Sequence, residues 1–533
     1  MKPADWFLTA AERGNPSTRI DSRHAAGTAW SAGNNVQPLI HGATYFGELE
    51  ARVAAMKAGD LLLFTDWRGD PDQRLRTTGP AVASAFCAAA GRGVRVAGLV
   101  WRSHLDTFAF SADENRHLGE DIEAAGGQCL LDMRVRPGGS HHMKMVVLRH
   151  PDRPERDVAF VGGIDLCHSR RDDSSHAGDP QAQPMARVYG QRPPWHDVQA
   201  LIRGPAVGDV ETVFRERWED PAPLSRNPAH RIRDLLGREQ VRARPLPPQL
   251  PDPQPCGSHL VQVLRTFPYR RQGYDFAPEG ERSIARAYLK ALPRARSLVF
   301  LEDQYLWSAE IMAPLAKALR LNPGLRVIAV LPRFPDQDGR LSTPLNLVGR
   351  AAALSALQQA GGDRVAVYGL ENSQSTPVYV HAKVCIADDT WAVIGSDNFN
   401  RRSWTHDSEL SCAVLDDPAA LMGDPGPAGA APDAAPGSFA GSLRGWLVAE
   451  HLGLPPGAAV PGLPEVFGEF RAAAARLDGW HDGGRAGQRP PGQLRRYPQL
   501  RMSAWTRAWT RVPYRLVYDP DGRPPSMRRA GRF

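Results

Sequence analysis

Hydrophobic and polar positions switch between two periods along most of the chain, and the switch happens twice. Thr44–Val53 carries apolar residues at helical spacing and Asp60–Trp67 follows as a short apolar run ending in polar residues, which predicts a helix and then a strand. The same pair recurs at Glu281–Leu292 and Ser297–Tyr305, with the second run ending in Glu302, Asp303 and Gln304. Two further strands follow, Gly93–Arg102 and Gly324–Arg333, in which the first Gly, an Arg, a Val and the last Arg agree position by position. Each half then reaches a His-x-Lys: His142/Lys144 lies 76 residues after Asp66, and His381/Lys383 lies 78 after Asp303. Matched order and spacing predict a duplication. Strands alternating with helices predict α/β layering, with polar strand ends meeting at a site between the halves.

The pattern divides the chain into an N-terminal lobe over residues 1–240, a proline-rich linker over 241–256 and a C-terminal lobe over 257–420. A Pro/Gly/Ala-rich stretch over 421–437 is predicted to be a disordered loop, and an extension over 438–533 ends in a basic, aromatic tail. A hydrophobic share of 42% with 23% charged residues excludes a wholly disordered or disulfide-scaffold chain, and no uncharged apolar run is long enough to span a bilayer. Charge changes the picture only at the end. Eight arginines against two aspartates between Leu500 and Phe533 account for six of the seven net positive charges, which excludes a globally basic nucleic-acid binder. In that tail Trp505, Trp509, Tyr514 and Tyr518 are expected to pack on the body with the arginines solvated; the second reading is contact with an anionic lipid surface. Six scattered cysteines without a C-x-x-C pair argue against a zinc ribbon or thiol redox site, and the acid in Met1–Trp6 argues against a secretory leader. A cytoplasmic protein that touches membranes peripherally is expected.

The second His-x-Lys has the clearer chemistry. His381-Ala-Lys383 begins an apolar run that predicts a strand with both side chains on one face, a turn at Asp388-Asp389 and a second strand at Trp391–Ile394. Gly395, Ser396 and Asn398 then offer small hydrogen-bonding groups to a phosphoryl oxygen. A nucleophile, a cation and neutral donors converge, as phosphate chemistry requires. The first copy reads Ser140–Leu148 and Val158–Asp165, with Gly162-Gly163 and an enlarged turn over Arg149–Asp157. The chain has only six lysines, so two His-x-Lys at matching places in a repeat are hard to assign to chance. His141 has the wrong parity for the site face and is read as structural.

On these motifs the chain resembles the phospholipase D superfamily, whose pattern is H-x-K-x(4)-D followed by G-[SG]-x-[ND], twice. The resemblance covers about residues 35–415. It is drawn toward the phospholipases D proper by Gly162–Leu166, Pro194–Val198, Gly204–Val207, Asn400–Trp404 and Leu443–Gly453. It implies an α/β fold of two related repeats packed as a bilobed unit, with mixed β-sheets flanked by helices and a single active site at the interface. It assigns His142 as the nucleophile that forms a phosphohistidine and His381 as acid/base. Lys144, Lys383, Asn398 and Ser396 would hold phosphoryl oxygens. Gly163, Asp165 and Asp388 complete the substrate-binding set, Asp165 being expected to hold a lysine or a backbone amide. A neutral nucleophilic imidazole calls for a carboxylate on its other nitrogen; Glu409 stands where relatives hold one, and Asp172 is its weaker counterpart in the first half. Trp195-His196-Asp197 is read as scaffold around the site. The motif aspartate of the first copy is replaced by Arg149, with Asp152, Glu155 or Asp157 in the turn as substitutes. The implied reaction is hydrolysis of a glycerophospholipid such as phosphatidylcholine at a membrane surface, giving phosphatidic acid and the free head group, with transphosphatidylation. A phosphatidyltransferase of the cardiolipin-synthase type and a phosphodiesterase of nucleic acid are the alternatives, nucleic acid being the less favoured partner. No cofactor or metal is implied, and a monomer is expected.

Overall fold

Strand β1 (Ser31–Ile40) opens the first sheet and is followed by β2 (Leu61–Asp66), β3 (Arg95–Trp101), β4 (Gln128–Asp132), β5 (Met145–Arg149), β6 (Val158–Gly162), the two-residue β7 (Trp195–His196) and β8 (Val198–Arg203). The computed structural model describes residues 2–24, 27–103, 112–237, 239–417 and 438–533. Pairing gives the order β4-β3-β2-β5-β6-β8-β1, parallel from β4 to β2 and antiparallel beyond. The second sheet is built from β9 (His259–Phe267), β10 (Glu281–Arg282), β11 (Leu298–Glu302), β12 (Arg326–Val330), β13 (Val365–Glu371), β14 (Pro377–Val380), β15 (Val384–Ala387), β16 (Trp391–Gly395), β17 (Glu409–Asp416) and β18 (Leu494–Arg496). Its order, β13-β12-β11-β15-β16-β17-β9, repeats the first strand for strand. The two sheets join where β1 pairs with β9. The duplication read from spacing is therefore a duplication of topology.

Because side chains alternate across a strand, each strand serves two layers. Val146 and Leu148 of β5 pack outward with Phe46, Phe86 and Leu118 of the helices Gly42–Ala54, Val82–Gly91 and Ala112–Ala124. Met145 and Val147 of the same strand point inward, into a core shared with Val384 and Ile386 of β15. Cys385 and Ala387 face the outer layer of the second lobe, under Ile284, Leu315 and Leu357. The helix Ala206–Trp218 lies inside the shared core and is buried at every position. Its charges are matched one by one: Arg149 reaches Glu211 at 2.9 Å, Arg265 reaches Glu216 at 2.6 Å and Arg217 reaches Asp132 at 2.7 Å. The predicted helix at Glu281–Leu292 begins two residues later, at Ser283, because Glu281 and Arg282 pair with β9 and carry the Glu281 carboxylate to Arg265 and Arg13.

The turns between the central strands correct two expectations. Asp388 lies at the far end of β15 from His381, where its carboxylate accepts from the backbone N–H groups of Arg296, Ser297 and Leu298 at 2.6–2.8 Å and ties the turn to the start of β11. It is a turn anchor with no access to a substrate beside His381. In the first lobe the polarity is inverted. Arg153 on the turn donates to Asp60 at the start of β2 at 2.6 Å, while buried Arg149 is clamped by Asp157 at 2.9 Å and by Glu211. Of the three candidate acids, Asp157 is the one that meets Arg149.

Residues 241–256 have neither helix nor strand, as their prolines require, but they are bound to the body. Trp218 Nε1 donates to the Arg244 carbonyl at 2.9 Å and Arg149 donates to that of Pro251 at 2.6 Å. The predicted loop at 421–437 lies outside the described residues. The C-terminal extension continues the second lobe: helices Phe439–Leu452 and Leu463–Asp482 enter the shared core, and β18 pairs with β13. Removing one partner of a buried pair strands a charge. Glu281→Gln should therefore lower unfolding stability by about 3–5 kcal/mol in urea titration, whereas Arg19→Ala, in the exposed pair with Glu219, should change it by less than about 1 kcal/mol. Equal effects would show that the network at Glu281 does not act as a unit.

Candidate active site

The two motif histidines do not sit within strands. His142 and His381 occupy irregular segments just before β5 and β15, because their backbone N–H groups are taken by the opposite half. His142 N–H donates to the Ser408 carbonyl at 2.9 Å and His381 N–H to that of His196 at 2.7 Å. A parallel bridge between His141 and Ser408 and the parallel pairing of β14 with β7 complete this exchange. Ser408 precedes β17 and His196 precedes β8, and these two strands are topological equivalents.

The exchange delivers a carboxylate to each imidazole. His142 Nδ1 is 2.8 Å from Glu409 Oε2, and His381 Nδ1 is 2.6 Å from Asp197 Oδ2. With Nδ1–H donating to a carboxylate, Nε2 of each neutral ring is left as a lone pair. Burial, Lys144 and Lys383 hold the His142 imidazole well below its ordinary pKa; burial, Lys383 and Arg170 do the same to His381. Burial pushes the carboxyls of Glu409 and Asp197 up, against Lys144 and Lys383 respectively.

Asp172 lies behind neither histidine. Its carboxylate accepts from the backbone N–H groups of Trp195 at 2.8 Å, Asp173 at 2.9 Å and Gly178 at 3.0 Å, so it shapes the loop that carries Asp197. The place expected for Asp172 is taken by Asp197, which had been read as scaffold. A signal existed: Asp197 immediately precedes β8 as Glu409 opens β17. It was masked because 34 residues separate Asp197 from Gly163, against 13 between Glu409 and Ser396. Gly163 is required by the same contact, since a Cβ there would stand 2.3 Å from Asp197 Oδ1. In the other half Ser396 Oγ donates to Glu409 Oε2 at 2.5 Å.

Lys144 Nζ donates to the His142 carbonyl at 2.9 Å and lies 3.4 Å from Asp165 Oδ1; Lys383 donates to the His381 carbonyl and approaches Gln304 Oε1 at 3.4 Å. Asp165 thus meets a lysine. Burial raises Asp66 well above the carboxylate range with Asp165 beside it, whereas Lys144 and Arg170 outweigh burial at Asp165 and hold its carboxyl low. Asn398 is buried at the same strand end, its Oδ1 without a hydrogen-bond partner. Sequence reading missed two groups. Arg170 stacks on Trp195 at 4.1 Å and lies 3.6 Å from Asp165, and Trp67 stands edge-on to the His142 ring at 6.2 Å. His141 is buried with both ring nitrogens unpartnered and takes no part in the site.

Two family models match overlapping stretches: Phospholipase D over residues 126–312, which include His142 and Lys144, and Cardiolipin synthase, PLD-like domain, over 288–422, which include His381 and Lys383. The chain belongs to the phospholipase D superfamily. Phospholipase D alpha 1 of Cynara cardunculus is 26% identical over 439 residues, covering 60% of this chain and 53% of the relative, and Phospholipase D alpha 1 of Arabidopsis thaliana gives the same figures. The chain spans about half the length of the curated relatives it matches. Among solved structures, phosphatidylserine synthase of Haemophilus influenzae Rd KW20 aligns at TM-score 0.49 and 13% identity, over 73% of this chain and 83% of its own.

In phospholipase D terms, the site is a two-histidine centre in which each lobe completes the other. Asp197→Asn would turn the His381 ring to the wrong tautomer and should lower turnover by about 10³-fold or more. Asp172→Asn should stay within about tenfold of the parent rate while losing about 1–2 kcal/mol of stability; the reverse ranking in steady-state assays would sink the assignment. Burial pushes the Lys383 ammonium down to about 8. The cation is present below that value and lost above it, so kcat/KM should fall as pH rises through about 8, and Lys383→Arg should move this alkaline limb upward in a pH–rate profile.

Proposed function

We propose that the protein is a phospholipase D: a phosphodiesterase that cleaves glycerophospholipids such as phosphatidylcholine to phosphatidic acid and the free head group, with transfer to alcohols as a side reaction. The observation that carries this reading is the crossed pairing of His142 with Glu409 and His381 with Asp197. It gives two neutral imidazoles, each oriented by a buried acid, with two lysines beside them.

In the proposed first step, His142 Nε2 attacks phosphorus and the head-group oxygen departs, taking a proton from His381. Free, burial and the field of Lys144, Lys383 and Arg170 keep both rings neutral. A phosphodiester anion bound between Lys144 and Lys383 cancels that field and favours protonation of His381 for its role as acid. The lysines, with Asn398, then oppose the charge growing on the phosphoryl oxygens, while the Ser396 hydroxyl, its hydrogen given to Glu409, holds that acid in place. In the second step His381 takes a proton from water or an alcohol, whose oxygen displaces His142 from phosphorus. Phosphatidyl transfer as the main reaction is the second reading, favoured by the match of residues 288–422 to the cardiolipin-synthase model; it differs only in the acceptor of this step.

The surface supports a lipid substrate. No described helix is long and apolar enough to cross a membrane. The helix Ala504–Pro513 and the turn after it expose Trp505 at 76%, Leu516 at 71% and Val517 at 62%, beside Arg507, Arg511 and Arg515. Trp505 therefore departs from the expected packing, while Tyr514 is buried as expected. An adjoining cleft of about 1130 Å³ is lined by Arg136, Arg270, Arg271, Arg515 and Arg528. Apolar tips among arginines suit the headgroup boundary of an anionic bilayer.

Phosphatidylcholine vesicles with ethanol provide the test. The parent should release choline and form both phosphatidic acid and phosphatidylethanol, and His142→Ala and His381→Ala should each lower this by about 10³-fold or more. Phosphatidylethanol in large excess over phosphatidic acid at low ethanol would favour transfer as the main reaction. Inertness on lipid with histidine-dependent cleavage of nucleic acid would overturn the substrate.

A further inference from the structure

A second cluster of histidines lies behind the reacting pair. His41 precedes the helix Gly42–Ala54, His176 lies in the loop after β6, His196 is in β7, and Glu450 is on the helix Phe439–Leu452. Their ligand atoms all lie within 4.8 Å of one another. Glu450 is the hub, with His41 Nε2 at 2.8 Å, His176 Nε2 at 3.1 Å and His196 Nδ1 at 3.5 Å from its oxygens. The three rings surround one point at centroid separations of 5.0, 5.2 and 5.7 Å. All three histidines are buried, and the Glu450 side chain keeps 13% exposure.

The outer nitrogens of two rings are already committed. His176 Nδ1 lies 3.1 Å from the Trp195 carbonyl, which can only accept, so Nδ1 carries a hydrogen and Nε2 is the atom turned to Glu450. His196 Nε2 lies 2.7 Å from the Glu302 carboxylate, whose other oxygen takes His451 Nε2 at 2.6 Å. That leaves His196 Nδ1 as a buried atom without a hydrogen-bond partner, aimed at the same point. Ring nitrogens converging on a carboxylate need positive charge between them and it, carried either by protons on the rings or by one metal ion. Backing of His176 by a carbonyl and of His196 by a carboxylate is the outer-shell arrangement that metal sites use, while His41 Nδ1 has no such partner. With zinc–ligand bonds of about 2.0–2.1 Å, tetrahedral donors stand about 3.3 Å apart, in the range of the separations at Glu450. Three nitrogens and one oxygen suit zinc and do not suit calcium, which takes six to eight oxygens. His41 and His176 both hold positive φ, at 68° and 51°, strain that a ligand-bound conformation would retain.

We propose that His41, His176, His196 and Glu450 form a closed, structural zinc site. It pins the C-terminal helix to the first lobe and fixes β7, whose His196 carbonyl receives His381 N–H and whose next residue is Asp197. The site takes no part in the phosphoryl chemistry.

The test is the metal content of the full chain expressed with zinc supplementation and without a histidine tag, then dialysed against a weak chelator. About one zinc per chain is expected, unchanged in His142→Ala, which separates this site from the reacting histidines, and lost in His41→Ala. Because His41→Ala can unfold, the deciding measurement uses the parent protein. Stripped with a strong chelator and refilled with cobalt, it should show the intense visible absorption of tetrahedral Co²⁺ and regain its thermal midpoint with one equivalent of zinc. Substoichiometric zinc, no cobalt band and no shift in midpoint on zinc addition would overturn the site and leave a cluster of imidazolium–carboxylate pairs.

Discussion

The structure depends on an exchange of backbone and carboxylate between its two halves. Each motif histidine gives its N–H to a carbonyl of the other lobe and its Nδ1 to that lobe's acid. Neither contact exists within one repeat. The exchange accounts for the motif histidines standing ahead of their strands, for a glycine at 163 where Asp197 leaves no room for a side chain, and for the shared core that presses the inner faces of both sheets together. It also fixes the tautomers, since a buried carboxylate holds Nδ1–H on each ring in a field set by two lysines and Arg170.

Much of this was legible in the amino-acid sequence. The matched order of helix, strand and His-x-Lys predicts the duplicated sheets, because hydrophobic period and spacing are local properties that folding preserves. Glu409 was legible through the resemblance, at the position where relatives hold a carboxylate behind the motif histidine. Asp197 was not: the loop from Gly163 carries more than twice as many residues as its counterpart, and Asp172 lies in that loop as a nearer decoy. Asp388 misled in a different way. It belongs to the motif by sequence, yet a strand of four residues points its two ends away from each other, so proximity along the chain to His381 became distance in space. Asp157, one partner of Arg149, was among the acids legible in the turn, but the other, Glu211, comes from a buried helix some sixty residues later, which no local pattern encodes.

The two lobes reach the same geometry with opposite charges. The second anchors its central turn by an aspartate on backbone amides, the first by arginines on Asp60, Asp157 and Glu211. What is held constant is the seating of the strand that follows each histidine, and either polarity satisfies that constraint. The long buried helix Ala206–Trp218 tolerates its many ionised groups for a related reason: Asp209, Glu211, Glu216 and Arg217 each find a partner from a different segment, so the charges act as address labels that bring the N-terminal segment, β5, β9 and β4 to one place.

The crossed carboxylates also set the kinetic order of assembly. A chain cleaved within residues 241–256 would yield two pieces, each holding a histidine whose orienting acid resides on the other. Neither piece alone contains a complete dyad, and dilution would disperse them. Competent sites would then form by a bimolecular encounter, in proportion to the product of the two fragment concentrations, whereas in the intact chain the same step is intramolecular and independent of dilution. The covalent link between the repeats thus serves as a fixed effective concentration of each half for the other.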